Sequence, residues 1–402
     1  MYRAVKHLTF SSSGGAGMVA QQLSHLQQKM GISSELISAT DGDIKDQVFR
    51  RPILVIRALW DFFVIRIPSK SSFFTLSRNT GSKNIASVFG NTLCVVHLHW
   101  TPGIISLSEI EQLSSTSNFL VWTLHDMWPI TGGCHFAQTC SKFQDSCANC
   151  PQARKPFQER IRVSHNLKSS ILKNSNIQIV CPSNWMYRQL EASGIIPPER
   201  LTVIHNPVDT HLFSPNKYDE VLSSSHFGED RFVVGCIAAN IDDPRKNIKK
   251  VVSLLESISE SFNIKNLHLV IIGRGATSSK VIPTTTTGFL SEKDIAVLAS
   301  QFDLYISLAE ADNLPLSMIQ AASSGLPIIC SDVGGHNDIV KHGVNGFIVK
   351  TDEEFETSFM EIYRNTNKRT IMGEKSREFA ISKFSLDAIN RQYLDLYERI
   401  SI

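Results

Sequence analysis

Residues 303–350, DLYISLAEADNLPLSMIQAASSGLPIICSDVGGHNDIVKHGVNGFIVK, decide the fold. The apolar run Leu304 to Leu308 has the length and bounding of a buried strand in a parallel sheet. Glu310, Asp312 and Asn313 follow, and Pro315 then reads as the first position of a helix that runs to about Ser324 and stops at Gly325. A second apolar run, Ile328 to Cys330, leads into Gly334-Gly335, where missing side chains let backbone approach a ligand closely. This is a βαβ unit with its polar groups at the carboxyl ends of its strands, where open α/β sheets bind ligands. An ordinary repeat with solvated loop acids would show the same periodicity.

Outward from it, the pattern repeats. A strand at Phe232 to Ala238 leads to Asp242-Asp243-Pro244-Arg245-Lys246-Asn247, a basic pair in a loop that opens a helix. Lys as a point charge and Arg as a fork suit a diphosphate there. A strand at Leu267 to Ile272 enters the tight turn Gly273-Arg274-Gly275, which we place on the same ligand side. Near the start, a strand at Ala4 to Phe10 enters Ser11 to Gly17 and then a helix to about Met30. Gly14 and Gly15 there expose backbone N–H groups beside a positive dipole end, suited to phosphate or an acceptor oxygen, although such glycines also serve plain packing. Strands at Leu93 to His97 and Phe119 to Leu124 end in His97-Leu98-His99 and His125-Asp126, again at carboxyl ends.

Two stretches stand apart. Cys134, Cys140, Cys147 and Cys150 fall within seventeen residues, a spacing that can converge on one tetrahedral zinc ion. Such a loop has few apolar residues to bury, and bound metal would supply its folding energy. Two disulfides, an iron–sulfur cluster or unligated thiols are the alternatives. In 47–78, arginines and Lys70 alternate with Ile, Leu, Val, Trp60 and Phe. That mixture suits an interfacial helix on an anionic membrane or a hairpin packed on the first sheet.

The organising stretch resembles the sugar-nucleotide signature of the family 4 glycosyltransferases of the GT-B fold. The resemblance rests on Ser307, Glu310, Asp312, Asn313-Leu314-Pro315, Ala321-Ala322, Gly325-Leu326-Pro327, Ser331 to Gly335 and Gly343 to Phe347. It implies a retaining transferase, working by front-face displacement, that moves a sugar from a nucleotide diphosphate to a hydroxyl of a growing, lipid-linked glycan. Polysaccharide or O-antigen synthesis is the setting it suggests. It further implies that Lys246, with Arg245, holds the diphosphate, that His125 and Asp312 orient the sugar, and that Glu310, Asn313, Leu314 and Pro315 line the donor. In that family a second carboxylate stands eight positions after the first. Here that position is Gln320, which keeps hydrogen bonding but loses the charge that strengthens it. A nucleotide-sugar binding protein without turnover and a GT-B epimerase are therefore the rival readings.

The expected architecture is two facing α/β domains of doubly wound Rossmann type, with the donor in the cleft. The first spans 1–207 and the second 208–385, with 386–402 a helix crossing back to the first. A length of 402 residues suits two such domains, and a net charge of +2 gives no case for nucleic acid. With no apolar run of about twenty residues, no membrane span is expected. Eight cysteines and no evident signal peptide fit a cytoplasmic protein, at most at the inner face of the membrane. No catalytic metal is expected, since four thiolates would close the zinc coordination sphere.

Overall fold

A computed structural model describes residues 2–40, 74–75, 93–116, 118–215, 227 and 230–401. Segment 47–78 therefore lies outside the described residues, apart from Phe74 and Thr75. Short apolar runs bounded by polar and glycine turns form two six-stranded sheets, parallel throughout. Strands buried on both faces read as near-continuous apolar runs, and Cys94–Leu98 and Leu267–Arg274 show this, interrupted only by His97, by His268 and by Arg274 at the strand end.

The first sheet holds β1 (Ala4–Thr9), β2 (Ser34–Ser38), β3 (Cys94–Leu98), β4 (Phe119–Thr123), β5 (Gln178–Cys181) and β6 (Leu201–Val203), in the order β2-β1-β3-β4-β5-β6. The second holds β7 (Phe232–Asn240), β8 (Leu267–Arg274), β9 (Thr284–Thr286), β10 (Leu304–Ser307), β11 (Ile328–Ser331) and β12 (Gly346–Val349), in the order β12-β11-β10-β7-β8-β9. The direction of winding reverses between β1 and β3 in one sheet and between β7 and β10 in the other. Such reversals open crevices at the carboxyl ends of the strands.

Helices connect the strands, and several are capped from the sequence. Ser106 and Glu109 form a reciprocal capping box, while Ser183 and Thr351 accept from Met186 and Glu354 backbone N–H groups. Each such cap is worth about 1 kcal/mol. The chain divides into two compact units, 1–205 with 389–402, and 206–388. The helix Leu386–Ile400 thus contributes most of its length to the first unit. There Tyr393 Oη lies 3.0 Å from Thr123 Oγ1, and Tyr397 Oη lies 2.6 Å from His97 Nδ1. Among the described residues no helix is long and apolar enough to cross a membrane.

Candidate functional site

In the second unit, the loop after β7 closes into a 3-10 turn, Pro244–Lys246, capped by Asp243 Oδ1, which accepts from the Arg245 N–H at 3.0 Å. Asn247, in the left-handed region at φ 55°, then turns the chain into the helix Ile248–Ser261. The turn sends its two cations to different partners. Arg245 is buried and forks onto Asp243, Nε to Oδ1 at 3.2 Å and Nη2 to Oδ2 at 2.6 Å. Lys246 Nζ reaches across to Asp312 Oδ2 at 2.5 Å, in the loop after β10. A backbone bond from Glu310 N–H to Arg245 C=O, 2.8 Å, ties the same two loops together. These loops leave the strands that flank the reversal point of the second sheet.

The loop after β11 completes the constellation. Gly334 has φ +53°, and a Cβ there would lie 1.7 Å from the Asp312 carbonyl oxygen. Only glycine lets the two loops lie this close. Gly335 N–H then donates to Asn313 C=O at 2.6 Å, and the Leu314 carbonyl accepts from Asn206 Nδ2 at 2.9 Å. Pro315 caps the helix Leu316–Ser323. Burial alone would raise the Asp312 carboxyl, but the charge and hydrogen bond of Lys246 outweigh it and hold the group below the usual carboxylate range. Asp312 is therefore ionised at neutral pH.

His336, which the sequence reading passed over, is buried beside this pair. Its Nδ1 donates to the Ser331 carbonyl at 2.8 Å, because a carbonyl can only accept. Burial lowers its pKa, so Nε2 carries a lone pair, and that buried nitrogen has no hydrogen-bond partner. Gln320 is buried on the helix Leu316–Ser323, with Nε2 3.5 Å from Glu292 Oε1 at the start of the helix Glu292–Ala299. A carboxylate thus stands next to the position where the sequence shows glutamine. Gly273 and Arg274 end β8, where a Cβ on Gly273 would lie 1.8 Å from the Ala238 carbonyl oxygen. Arg274 lies over the exposed Phe289 ring at 4.9 Å, and Glu310 is exposed.

The first unit carries the other predicted residues. Gly14, at φ +83°, precedes the helix Gly15–Lys29, and both glycines are exposed. His125, half-buried, ends a chain of hydrogen bonds that runs into the core. Its Nε2 lies 3.1 Å from His99 Nδ1, His99 Nε2 lies 3.1 Å from His7 Nδ1, and His7 Nε2 lies 3.0 Å from Gln27 Oε1. The far end fixes the direction. Asn390 Nδ2 faces the Met30 sulfur at 3.3 Å, which can only accept, so Asn390 Oδ1 faces Gln27 Nε2 at 3.2 Å. Gln27 Oε1 must then accept from His7, His7 from His99, and His99 from His125. His125 carries its proton on Nε2 and presents Nδ1 as an acceptor.

Burial pushes His7 and His125 down to about 4, so both rings are neutral near pH 7. Asp126 is occupied elsewhere, by His135 Nδ1 at 2.7 Å and the Trp128 N–H at 2.8 Å. His7, His97 and His99 offer nitrogens within 4.8 Å of one another, a spacing that suits a metal ion. Both nitrogens of each ring are already engaged, His97 by Thr123 and Tyr397, and the trio reads as a hydrogen-bonded network. Cys134, Cys140, Cys147 and Cys150 surround a separate small cavity.

Residues 13–212 match the family model described as Glycosyltransferase Family 4, and residues 224–379 match that described as Glycosyl transferases group 1. The chain is a family 4 glycosyltransferase. Its two sheets are those of the GT-B fold, and solved structures agree. It is similar to sucrose-phosphate synthase from Thermosynechococcus elongatus, with a TM-score of 0.68 at 16% identity over 99% of both chains. It is also similar to Anabaena HepE, solved with UDP, with a TM-score of 0.64 at 14% identity over 98% of this chain and 100% of that one.

Among sequences, this glycosyltransferase is 21% identical to the putative colanic acid biosynthesis glycosyl transferase WcaC of Escherichia coli K12, over 76% of this chain and 75% of that protein. It is 24% identical to an E. coli enzyme named UDP-Gal:alpha-D-GlcNAc-diphosphoundecaprenol alpha-1,3-galactosyltransferase, over 50% of this chain and 56% of that protein.

Proposed function

We propose that this glycosyltransferase is a retaining hexosyltransferase that moves a sugar from a uridine diphosphate donor to a hydroxyl of a growing lipid-linked glycan. The observation that carries the reading is the Lys246–Asp312 pair, set at the reversal point of the second sheet between loops locked by Gly334. Asp312 holds the Lys246 ammonium in place until a diphosphate supplies a stronger partner. Lys246 then offsets the charge that develops on the leaving group, helped by N–H groups at the start of the helix Ile248–Ser261. Asp312, freed from Lys246, accepts a sugar hydroxyl. His125 is assigned to another sugar hydroxyl through Nδ1. The bond from the anomeric carbon to the phosphate oxygen breaks as the bond to the acceptor oxygen forms on the same face. The acceptor's proton passes to the departing phosphate oxygen.

HepE was solved with UDP and with UDP-glucose, and the galactosyltransferase relative is named for a UDP donor and a lipid diphosphate acceptor. Those names support the donor base and the acceptor class proposed here. The cationic, aromatic composition of 47–78 supports contact with the anionic inner face of a membrane.

The test is nucleotide release from a panel of UDP-, GDP- and ADP-sugars, comparing wild type with Lys246→Ala. Slow hydrolysis of a UDP-sugar that Lys246→Ala abolishes is expected. Conversion of the donor without nucleotide release would identify an epimerase, and binding without either reaction a degenerate transferase.

A further inference from the structure

The loop between Ile130 and Gln158 is not explained by sugar transfer. Among the described residues, 131–154 contribute one 3-10 turn, Lys142–Gln144, and isolated bridge positions at Cys134, paired with Phe74, and at Ala153. Yet the segment is tightly held. The Gln158 side chain clamps Cys150, accepting its N–H at 2.5 Å and donating to its carbonyl at 2.9 Å, and Lys142 Nζ donates to the Asn149 carbonyl at 2.6 Å. Gln138, Cys147 and Asn149 adopt left-handed φ of 52°, 54° and 54°. Non-glycine residues in that region are strained, and they persist where something else over-determines the structure. Here the turns bring Cys134, Cys140, Cys147 and Cys150 round one cavity.

Two features of that cavity point the same way. Its volume is about 10 Å³, roughly the space of one water-sized sphere. The Gly132 N–H donates to Cys147 Sγ at 3.1 Å, a backbone donor of the kind that surrounds metal-bound sulfur.

We propose that Cys134, Cys140, Cys147 and Cys150 bind one zinc ion as a closed structural site. The chemistry balances: four thiols release four protons to solvent and bind Zn²⁺, leaving a site of charge −2. In this structure no three of the sulfurs lie within 4.8 Å of one another. A tetrahedral site with bonds of about 2.3 Å spaces them at about 3.8 Å, so the ion draws the loop closed. All four cysteines are free, with no disulfide competing for them.

The experiment is atomic emission on the full chain purified without chelator, combined with titration by a mercurial reagent. One zinc ion per chain is expected, released in step with reaction of the four thiols, and lost in Cys147→Ser/Cys150→Ser. Cys236→Ser, in the other unit, should keep its zinc. If the double variant does not fold, wild-type protein stripped by chelator replaces it, and added zinc should restore its thermal midpoint. Wild type that folds without metal, carries two disulfides by mass, or shows the visible absorbance of an iron–sulfur cluster overturns the proposal.

Discussion

Gln320→Glu restores the residue that the family signature leads one to expect, and the structure predicts that it destabilises the second unit. Gln320 Nε2 lies 3.5 Å from Glu292 Oε1, so the substitution sets two carboxylates at about that distance. At an effective dielectric constant of about 20, two unit charges 3.5 Å apart repel by about 5 kcal/mol. Glu292 is partly exposed and can swing toward water, which lowers the net cost to about 1–3 kcal/mol. The pH dependence gives the sign. Repulsion raises the folded-state pKa of one carboxyl above its unfolded value of about 4.3. Below that value both groups are protonated in both states and the deficit vanishes. Above it the unfolded chain binds fewer protons, so the deficit grows with pH until the raised pKa is passed. Urea unfolding followed by circular dichroism should show Gln320→Glu close to wild type near pH 4 and less stable at pH 8. Glu292→Gln in the same chain should restore stability, with the coupling read from the double-mutant cycle. A Gln320→Glu protein as stable as wild type at pH 8, or a coupling of zero, would refute the reasoning.

Lys246→Met strands the Asp312 carboxylate and should cost about 3 kcal/mol at neutral pH; adding Asp312→Asn should recover stability but not donor binding, measured by calorimetry with UDP. For the first unit, His7 and His125 are held neutral with pKa values of about 4, against an unfolded value of about 6.5. Stability should be level above that value and fall as pH drops toward 4, by up to about 1.4 kcal/mol per pH unit for each ring. The four described tryptophans, Trp100, Trp122, Trp128 and Trp185, lie in this unit, and no tryptophan falls in the sequence of the other, so fluorescence during urea unfolding reports the first unit, and a flat profile between pH 6.5 and 4 would contradict the histidine assignment. Gly334→Ala must push the Asp312 backbone away from a Cβ at 1.7 Å; a loss of more than about 3 kcal/mol and of donor binding is expected, checked by thermal unfolding and the same calorimetry.

Much of this molecule was legible because its strands are punctuated apolar runs, and Leu304, Phe232 and Leu267 each begin a strand where the sequence places one. Edge strand β2 was not, since SELIS has only Leu36 and Ile37 as apolar residues and its other positions mimic a turn. At the site, residue types were legible but partnerships were not. The sequence offers Lys246, with Arg245 beside it, for the diphosphate, whereas the turn at Pro244 folds Arg245 back onto Asp243 and lets Lys246 cross to Asp312. The glutamine at 320 stood out by spacing, but its neighbour Glu292 lies 28 residues earlier in sequence. His7 left one faint signal, a histidine inside an apolar strand. Only the register, which sets His7 beside His97, shows that it belongs to the chain behind His125.

The first unit includes residues 389–402, which follow the whole of the second unit in the chain. On the ribosome, the pockets for Tyr393 and Tyr397, lined by Thr123 and His97, stay unfilled until the whole second unit has been translated. A nascent chain stalled near Ala388 would hold a finished second unit and a first unit still missing part of its buried core. Truncation at that point should therefore expose the first unit to proteases, although the cut lies beyond the whole of the second unit in sequence.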